Sequence, residues 1–538
     1  MKIHLLIILF ILFSVLNSAG QQKTPDLELE GYQIVGKDTR VFTITGERRS
    51  TVEFSAIPLI QPGEERDIET SRGLIGEDER IRRPDIFSAN HGFYSRVDVM
   101  SGSNSPLTLW GKASFDMKGK AGTIGISNRM AEENTLNNNA PFMQDVEAAG
   151  YYDVLFARFS ADIFYGREDE ELGSEFFRNH NRSLKRGQGG VTLRLSPFKS
   201  WDVSGRFSIS GSDYEDKIVA KDESETVVVG STDAVGEIGS TTFRLNAMGN
   251  YVEMSDLHGT ISTFKGVGEW LILERLGIKA GASFSLSEAP GDNKTKARLY
   301  PQASLDWALN PGVFLKACFK PEVIRHTFAG LYAYNGLVTY DTPMLFEDRK
   351  IDISGELGLM RSSGFSGSVG AFYMTTDNMP VYTRKTITAA SDTLDYYTIV
   401  SGTEVDLKGI TLKGKYDNNS KWGIDGSMTF TDASGDSLEN VTYTPDVKAV
   451  ANGYLMFQRL WKFRCSIRYF GKHTIQWDSD VEEDEFFVVD VGVDREIFRK
   501  YLSIYFDVKN LTNNDGAWWT DQYQIPGTGM YVGLRAEY

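Results

Sequence analysis

The chain contains little cysteine, proline or histidine. Its 538 residues include 2 Cys, 15 Pro and 6 His. Two cysteines exclude the dense disulfide framework of a small secreted domain. Because Cys318 and Cys465 both lie in strand-like runs, we predict that they are unpaired and act as small apolar side chains. No proline-rich tract marks a linker between domains.

Basic charge and long apolar runs are also scarce. The chain carries 57 Lys and Arg against 73 Asp and Glu, which gives a formal net charge of −16. Nucleic-acid binding is not expected, because contact with phosphates needs basic patches. After Gly20 no run of about 18 consecutive apolar residues occurs, so no transmembrane helix is predicted.

Motifs for catalysis and for metal binding are absent from the sequence. None of the later histidines, which are His91, His180, His258, His326 and His473, stands in the context of a paired nucleophile. We therefore predict no enzyme activity and no cofactor. Two acidic stretches, 168–171 and 478–485, are assigned to outer loops. They lack the spacing and turn glycine of a calcium loop, so no metal site is predicted.

The first residues have the pattern of an export signal. Lys2 precedes an apolar run from Leu5 to Val15, and small residues follow up to Gly20. A run of this length between a charged start and a small-residue site predicts a signal peptide over 1–20, cut near Gly20. We expect the mature chain in the outer membrane of a Gram-negative-type bacterium.

From residue 91 onward, apolar and polar residues alternate with a period of two. In the clearest run Phe487, Val489, Val491 and Val493 share one face, and Asp490 and Asp494 lie on the other. A soluble sandwich would bury the apolar face, whereas an outer-membrane barrel turns it to lipid and its polar face to the lumen. The alternation continues over 91–538, beyond the usual size of one sandwich domain, and this favours the barrel.

The strand number follows from the runs and from the links between them. We count about 21 runs, with 396–412 taken as one strand, and the links alternate between short and long. Only 213–240 breaks the alternation, and Thr226-Val227-Val228-Val229 within it reads as a further strand. The prediction is an all-β, antiparallel transmembrane barrel of about 22 strands (range about 18–22).

The end of the chain resembles the end of TonB-dependent receptor barrels. The matching residues are Phe506-Asp507-Val508-Lys509-Asn510-Leu511-Thr512-Asn513, then Pro526-Gly527, then a last strand that ends on Tyr538. The run Tyr300-Pro301-Gln302-Ala303 resembles a proline-containing central strand of the same receptors. The resemblance implies a receptor or transport barrel, assembly by the barrel-assembly machinery through Tyr538, and TonB or a separate periplasmic plug as partner. The outer-membrane bilayer and its lipopolysaccharide are the other expected partners.

The resemblance also implies a missing part. The receptors carry a globular plug before the barrel, and only residues 21–90 stand in that place here. We divide the chain into a signal peptide (1–20), a periplasmic segment or partial plug (21–90) and the barrel (91–538). Two fillers of the lumen are considered, and we favour 21–90, with Arg72, Arg80, Arg82 and Arg83, over the long outer links 325–348 and 512–528. Inward charges are available to pair with either filler, and they include Asp490, Asp494, Asp507, Lys509, Arg535 and Glu537.

Two functions remain open at this point. The first is binding or passage of a nutrient, and the alternative is a structural or assembly scaffold without transport activity. Tryptophans near strand ends suit the aromatic girdles of a barrel. Trp518 and Trp519, with Tyr523 beside them in the last outer link, are the candidates for stacking on a sugar or a planar ligand.

Overall fold

A computed structural model describes residues 92–537 with internal gaps. The gaps are 103–104, 118–119, 131–141, 155–156, 172–180, 199–200, 217–220, 239–240, 255–256, 273–274, 291–293, 311, 329, 332–337, 340–345, 361–363, 390–391, 401–403, 419–420, 436–440, 459, 476–481, 499–500 and 515–526. Within these residues, no helix has the length and apolar character needed to cross a membrane.

Almost all of the described chain is β-strand. The strands, labelled in chain order, are β1 Gly92–Gly102, β2 Ser105–Met117, β3 Lys120–Met130, β4 Phe142–Val154, β5 Ala157–Glu171, β6 Asn181–Phe198, β7 Trp201–Asp216, β8 Lys221–Ile238, β9 Thr241–Met254, β10 Leu257–Ile272, β11 Leu276–Glu288, β12 Lys296–Asn310, β13 Val313–Phe319, β14 Glu322–Ile324, β15 Glu347–Met360, β16 Phe365–Asp377, β17 Val381–Ala389, β18 Asp392–Val400, β19 Glu404–Asn418, β20 Trp422–Gly435, β21 Val447–Phe457, β22 Trp461–Phe470, β23 His473–Thr474, β24 Glu482–Glu483, β25 Phe486–Phe498, β26 Leu502–Lys509 and β27 Gly529–Glu537.

The large sheet is antiparallel throughout and closes on itself. β13 and β14 both pair with β15 and form one interrupted strand, so the 23 strands of the sheet correspond to 22 strands of the barrel. The first and last strands pair from Arg96 opposite Glu537 to Gly102 opposite Tyr531. The hairpins β17–β18 and β23–β24 stand outside this sheet. The predicted barrel and its strand number are confirmed.

The structure decides two of the strand assignments made from the sequence. β8 contains Thr226–Val229 and pairs with β7 and β9, which confirms the further strand within 213–240. The assignment of 396–412 to one strand was wrong. Residues up to Val400 belong to the hairpin β17–β18, and β19 starts at Glu404. A hairpin alternates with the same period as a barrel strand, so the pattern does not separate the two.

All long links lie at one end of the barrel, together with the short links 103–104 and 255–256, and the links at the other end are all short. At the short-link end Gly312 and Gly364 adopt positive φ angles of 89° and 84°. A Cβ on Gly364 would collide with the carbonyl oxygen of Asp417, so this tight turn needs glycine. Trp270, Trp307, Trp422 and Trp461 lie close to this end, as expected of an interface girdle.

The two faces of the strands are separated as predicted. Phe487, Phe506 and Leu534 on the outer face are 47%, 43% and 50% exposed, whereas Asp490 and Asp507 on the inner face are 7% and 3% exposed. The apolar faces therefore point outward and the charged faces line the lumen. The structure gives Cys318 and Cys465 as free cysteines, which confirms that prediction.

Candidate functional site

Ion pairs between neighbouring strands line the lumen wall. Where β1 pairs with β27, Arg535 Nε donates to Asp98 at 2.8 Å, and Arg96 of β1 forms an ion pair with the same carboxylate at 2.9 Å. Farther along the wall, Arg468 Nη2 donates to Asp490 at 2.8 Å. The Arg464 guanidinium lies 2.8 Å from Asp494 and 2.9 Å from Asp507.

Asp490 and Asp494 meet basic side chains of the adjacent strand β22, and Asp507 reaches Arg464 of β22 across β25. Their pairing with residues 21–90 lies outside the described residues and stays a prediction. Lys509 Nζ also points to Asp490, at 3.6 Å. Neighbouring strands bring opposite charges side by side on one face, and such cross-strand pairs stabilise a sheet.

Parts of one long outer link lie at the mouth of the lumen. The described residues of this link between β14 and β15, which are 325–328, 330–331, 338–339 and 346, are called the strap. Arg325 Nη1 donates to Asn250 on β9 at 3.1 Å, and the amide of Phe328 donates to Glu225 on β8 at 3.1 Å. Since β10 to β12 lie between these strands and β14, Arg325 and Phe328 reach across part of the lumen. Burial lowers the pKa of Arg325, although the nearby Glu225 opposes this shift.

The hairpin β17–β18 packs on the strap. The Thr339 amide donates to the Tyr397 carbonyl at 2.6 Å, and the Tyr382 hydroxyl donates to the Leu331 carbonyl at 3.1 Å. Val338 and Tyr397 also form an isolated parallel β-bridge. On the hairpin's other side, the Thr442 hydroxyl donates to the Tyr382 carbonyl at 2.6 Å. The outer links therefore form a connected cap.

The cap encloses an apolar core at the mouth. Strap, hairpin and wall residues all contribute to one buried cluster, which comprises Leu184, Tyr214, Val227, Val252, Met254, Phe328, Leu331, Val338, Tyr382, Tyr397, Ile399, Tyr443, Phe470, Ile475, Phe486 and Val488. The Tyr443 hydroxyl donates to the Ile475 carbonyl at 2.6 Å. The Tyr214 hydroxyl donates to Asp216 at 2.7 Å and lies 3.2 Å from the Val338 carbonyl. These rings therefore hold the cap together.

A buried charged cluster anchors the base of the strap. Glu347 is 1% exposed, and its oxygens lie 2.6 Å from His326 Nε2 and 2.7 Å from Arg349 Nε. The Thr376 hydroxyl of β16 donates to it at 3.2 Å. Next to it, Asn378 Nδ2 donates to the Phe346 carbonyl at 3.2 Å, which ties the root of the hairpin to the end of the strap.

The Asn510-Leu511-Thr512-Asn513 motif ends β26. Asn510 and Asn513 adopt left-handed φ angles of 48° and 49°, which asparagine tolerates better than most residues. The Asn510 amide donates to Asp490 at 2.9 Å, and the Asn510 side chain accepts from the Asn514 amide at 3.0 Å. The amide of Thr528 donates to Asn513 at 3.0 Å. The two asparagines therefore fold the chain away from the strand and join both ends of the last outer link.

The other predicted site residues have varied outcomes. Trp518, Trp519 and Tyr523, and the segment 21–90, lie outside the described residues. The assignment of 168–171 to a loop was wrong, because β5 and β6 stay paired up to Glu171 opposite Asn181. The described part of the chain contains no group of three or more His, Cys, Asp or Glu that could hold a metal.

Sequence reasoning did not find the strap anchor. The sequence assigned no specific role to His326 and placed Glu347 in the link 325–348. The cluster Glu347-Asp348-Arg349 at a strand start was a usable signal, since charges of both signs so close together often pair. The local sequence pattern does not show which residues of other strands contact this cluster.

Comparisons with known proteins agree with this architecture. Residues 80–511 match the family model "TonB dependent receptor-like, beta-barrel". The copper transporter OprC superposes with a TM-score of 0.65 at 10% identity, covering 84% of this chain and 81% of that one. A mutant of the ferric enterobactin receptor PfeA from Pseudomonas aeruginosa gives the same four values. The FrpB iron transporter from Neisseria meningitidis also scores 0.65 at 10% identity, with 84% and 82% covered. No curated protein matches by sequence. The family match spans most of the barrel, and the chain belongs to the TonB-dependent receptor-like β-barrel family.

Proposed function

We propose that the protein binds a nutrient at the outer face of the outer membrane and passes it through the barrel. The observation that carries this proposal is the closed 22-strand barrel whose mouth is crossed by its own folded links. A barrel of this size encloses a lumen wide enough for a solute. The similar structures named above are a copper transporter, a ferric enterobactin receptor and an iron transporter, which supports transport as the class of function.

The flanking parts of the chain have roles in this proposal. A signal peptide cut near Gly20 directs export, and residues 21–90 form a periplasmic arm or partial plug at the short-link end, where β1 begins at Gly92. TonB or a separate periplasmic plug engages that end. Tyr538 addresses the barrel to its assembly machinery, and lipopolysaccharide surrounds the outer half. Trp518, Trp519 and Tyr523 stack on the ligand from the last outer link.

Conductance in planar bilayers tests the proposal. Three forms are compared: the mature chain, a chain lacking residues 24–85, and a chain with residues 332–337 replaced by a short glycine-serine linker. We expect low conductance from the mature chain and a clear increase in at least one altered form. Liposome swelling with neutral and charged solutes then shows which solutes pass. A barrel that folds but admits no solute in any form would contradict passage.

The alternative function is an outer-membrane scaffold without transport. One observation favours it, namely the number of hydrogen bonds that hold the cap in the mouth. If the protein is a scaffold, shortening the strap should leave growth of the cell on limiting nutrients unchanged but should displace another outer-membrane component. Growth on limiting nutrients and the composition of purified outer membranes separate the two functions.

A further inference from the structure

A polar pocket lies on the lumen wall near the short-link end of the barrel. Its volume is about 450 Å³, and small-molecule sites usually measure about 300–1,000 Å³. The lining residues include Phe314, Glu356, Ser368, Lys415, Asp425 and Asn452. Asp425 lies opposite Lys415 on one side and Asn452 on the other. The next residue in this row, Ser466, lies opposite the inward Asp490, so the pocket opens to the lumen.

One buried carboxylate of this pocket has no partner. Glu356 of β15 is 9% exposed, and it forms no hydrogen bond or ion pair with any of the described residues. Lys316 lies opposite it on β13, but the Lys316 ammonium stands over the Phe314 ring, 5.3 Å from the centroid. Because burial removes water from a charge, an unpaired buried carboxylate is costly. A ligand with a positive group would remove this cost.

An ammonium of the same pocket is also left without an ion pair. Lys415 lies opposite Asp425, yet within the described chain the two form no ion pair, and Asp425 accepts from Asn452 Nδ2 at 3.2 Å. Elsewhere on the lumen wall such neighbours do pair, as Arg244 of β9 does with Glu269 of β10 at 3.3 Å. The pocket therefore offers one carboxylate and one ammonium to a ligand.

The strand register sets the distance between these two groups. Thr411 of β19 lies in the same row as Glu356, two strands away, and Lys415 follows four residues later, toward the short-link end. With strands about 4.8 Å apart and a rise of about 3.4 Å per residue, the Cα atoms of Glu356 and Lys415 are about 17 Å apart. The two side chains are too far apart to meet, so a ligand between them can contact both.

From this arrangement we propose that the pocket binds a zwitterion of dipeptide size. The ammonium of the ligand donates to Glu356, and its carboxylate accepts from Lys415. A dipeptide extends over about 7 Å, which bridges the gap that the two side chains leave. An anion would leave Glu356 unpaired, and a cation would leave Lys415 unpaired. This inference deepens the proposed passage of a nutrient by naming a substrate class, and it rests on that passage for its purpose but not for its test.

Isothermal titration calorimetry of the mature chain in detergent micelles tests the site. The probes are the dipeptide alanylphenylalanine, its N-acetyl form, which lacks the ammonium, and its C-terminal amide, which lacks the carboxylate. We expect the dipeptide to bind. Either modification should weaken binding about tenfold or more, because each removes a charge-assisted hydrogen bond.

Two variants assign the contacts to residues. E356Q should no longer discriminate the dipeptide from its N-acetyl form, and K415Q should no longer discriminate it from the amide. The matched control E253Q changes a carboxylate on the outer face of β9, beside the exposed Tyr251, and should keep the full preference for the zwitterion. Heat-dependent mobility in gels shows that each variant is folded.

Several outcomes would overturn the site. They are no binding of the dipeptide by the mature chain, equal affinity for the three probes, and an unchanged preference in either variant. Binding that appears only after removal of residues 24–85 would also overturn it, because that segment would then occupy the pocket in the mature protein. Selective binding without passage of any solute in bilayers would instead contradict the proposed function and leave the site intact.

Discussion

Replacing Asp490 by alanine should lower the free energy of unfolding by more than the loss of any single surface ion pair would. Asp490 is 7% exposed and joins three strands, because it accepts from Arg468 Nη2 at 2.8 Å and from the Asn510 amide at 2.9 Å. Arg468 is itself 5% exposed. Removing one partner of a buried ion pair costs about 3–5 kcal/mol. Since Arg468 has further interactions, we expect the lower end, about 3 kcal/mol.

Urea unfolding in lipid vesicles, followed by tryptophan fluorescence, measures this free energy by linear extrapolation. The matched control is D432A. Asp432 pairs with Lys408 at 3.0 Å, but the two side chains are 65% and 61% exposed, so its loss should cost at most about 1 kcal/mol. Replacing both members of the buried pair, as in R468L/D490L, should recover much of the loss. An effect of D490A no larger than that of D432A would refute the reasoning.

Three further predictions concern the strand end, the lipid face and the thiols. N510A should be less stable than N510G by about 1 kcal/mol, because only the alanine is strained at the left-handed φ of 48°; equal urea midpoints would contradict this. V491R places a charge on the lipid-facing side of β25 and should cost about 2–4 kcal/mol near the midplane, seen as lower yield of folded barrel in vesicle insertion; normal insertion would argue against an outward Val491. Cys318 shares the inner face with Ser354, whereas Cys465 is opposite the outward Val491. A water-soluble quencher should therefore reach a label on Cys318 but not one on Cys465, and a mobility shift on reduction of the unlabelled protein would contradict free thiols.

The local alternation of apolar and polar residues was enough to predict the barrel, because every strand of the closed sheet turns one face to lipid and the other to the lumen. Alternation assigned Phe487 and Asp490 to opposite faces, and the faces proved correct since a one-residue register slip would exchange lipid-facing and lumen-facing side chains. The spacing of the turns indicated the additional strand β8, because every second link of an antiparallel barrel must lie at the same end. Asn510 was readable as a strand end from its residue type alone, although the Asp490 contact that holds it was not.

The mouth was decided only by tertiary structure. Arg325 meets Asn250 across 75 residues of chain, and Phe328 meets Glu225 across 103, and neither pair leaves a period in the sequence. The hairpin β17–β18 alternates like a barrel strand, which is why 396–412 was wrongly assigned to one strand. The strap has the irregular pattern of an ordinary loop. Sequence by itself determined which faces meet lipid and how many strands close the barrel, since both depend on local spacing. Which links fold inward, and which charges anchor them, depends on side chains that meet only after the barrel has closed.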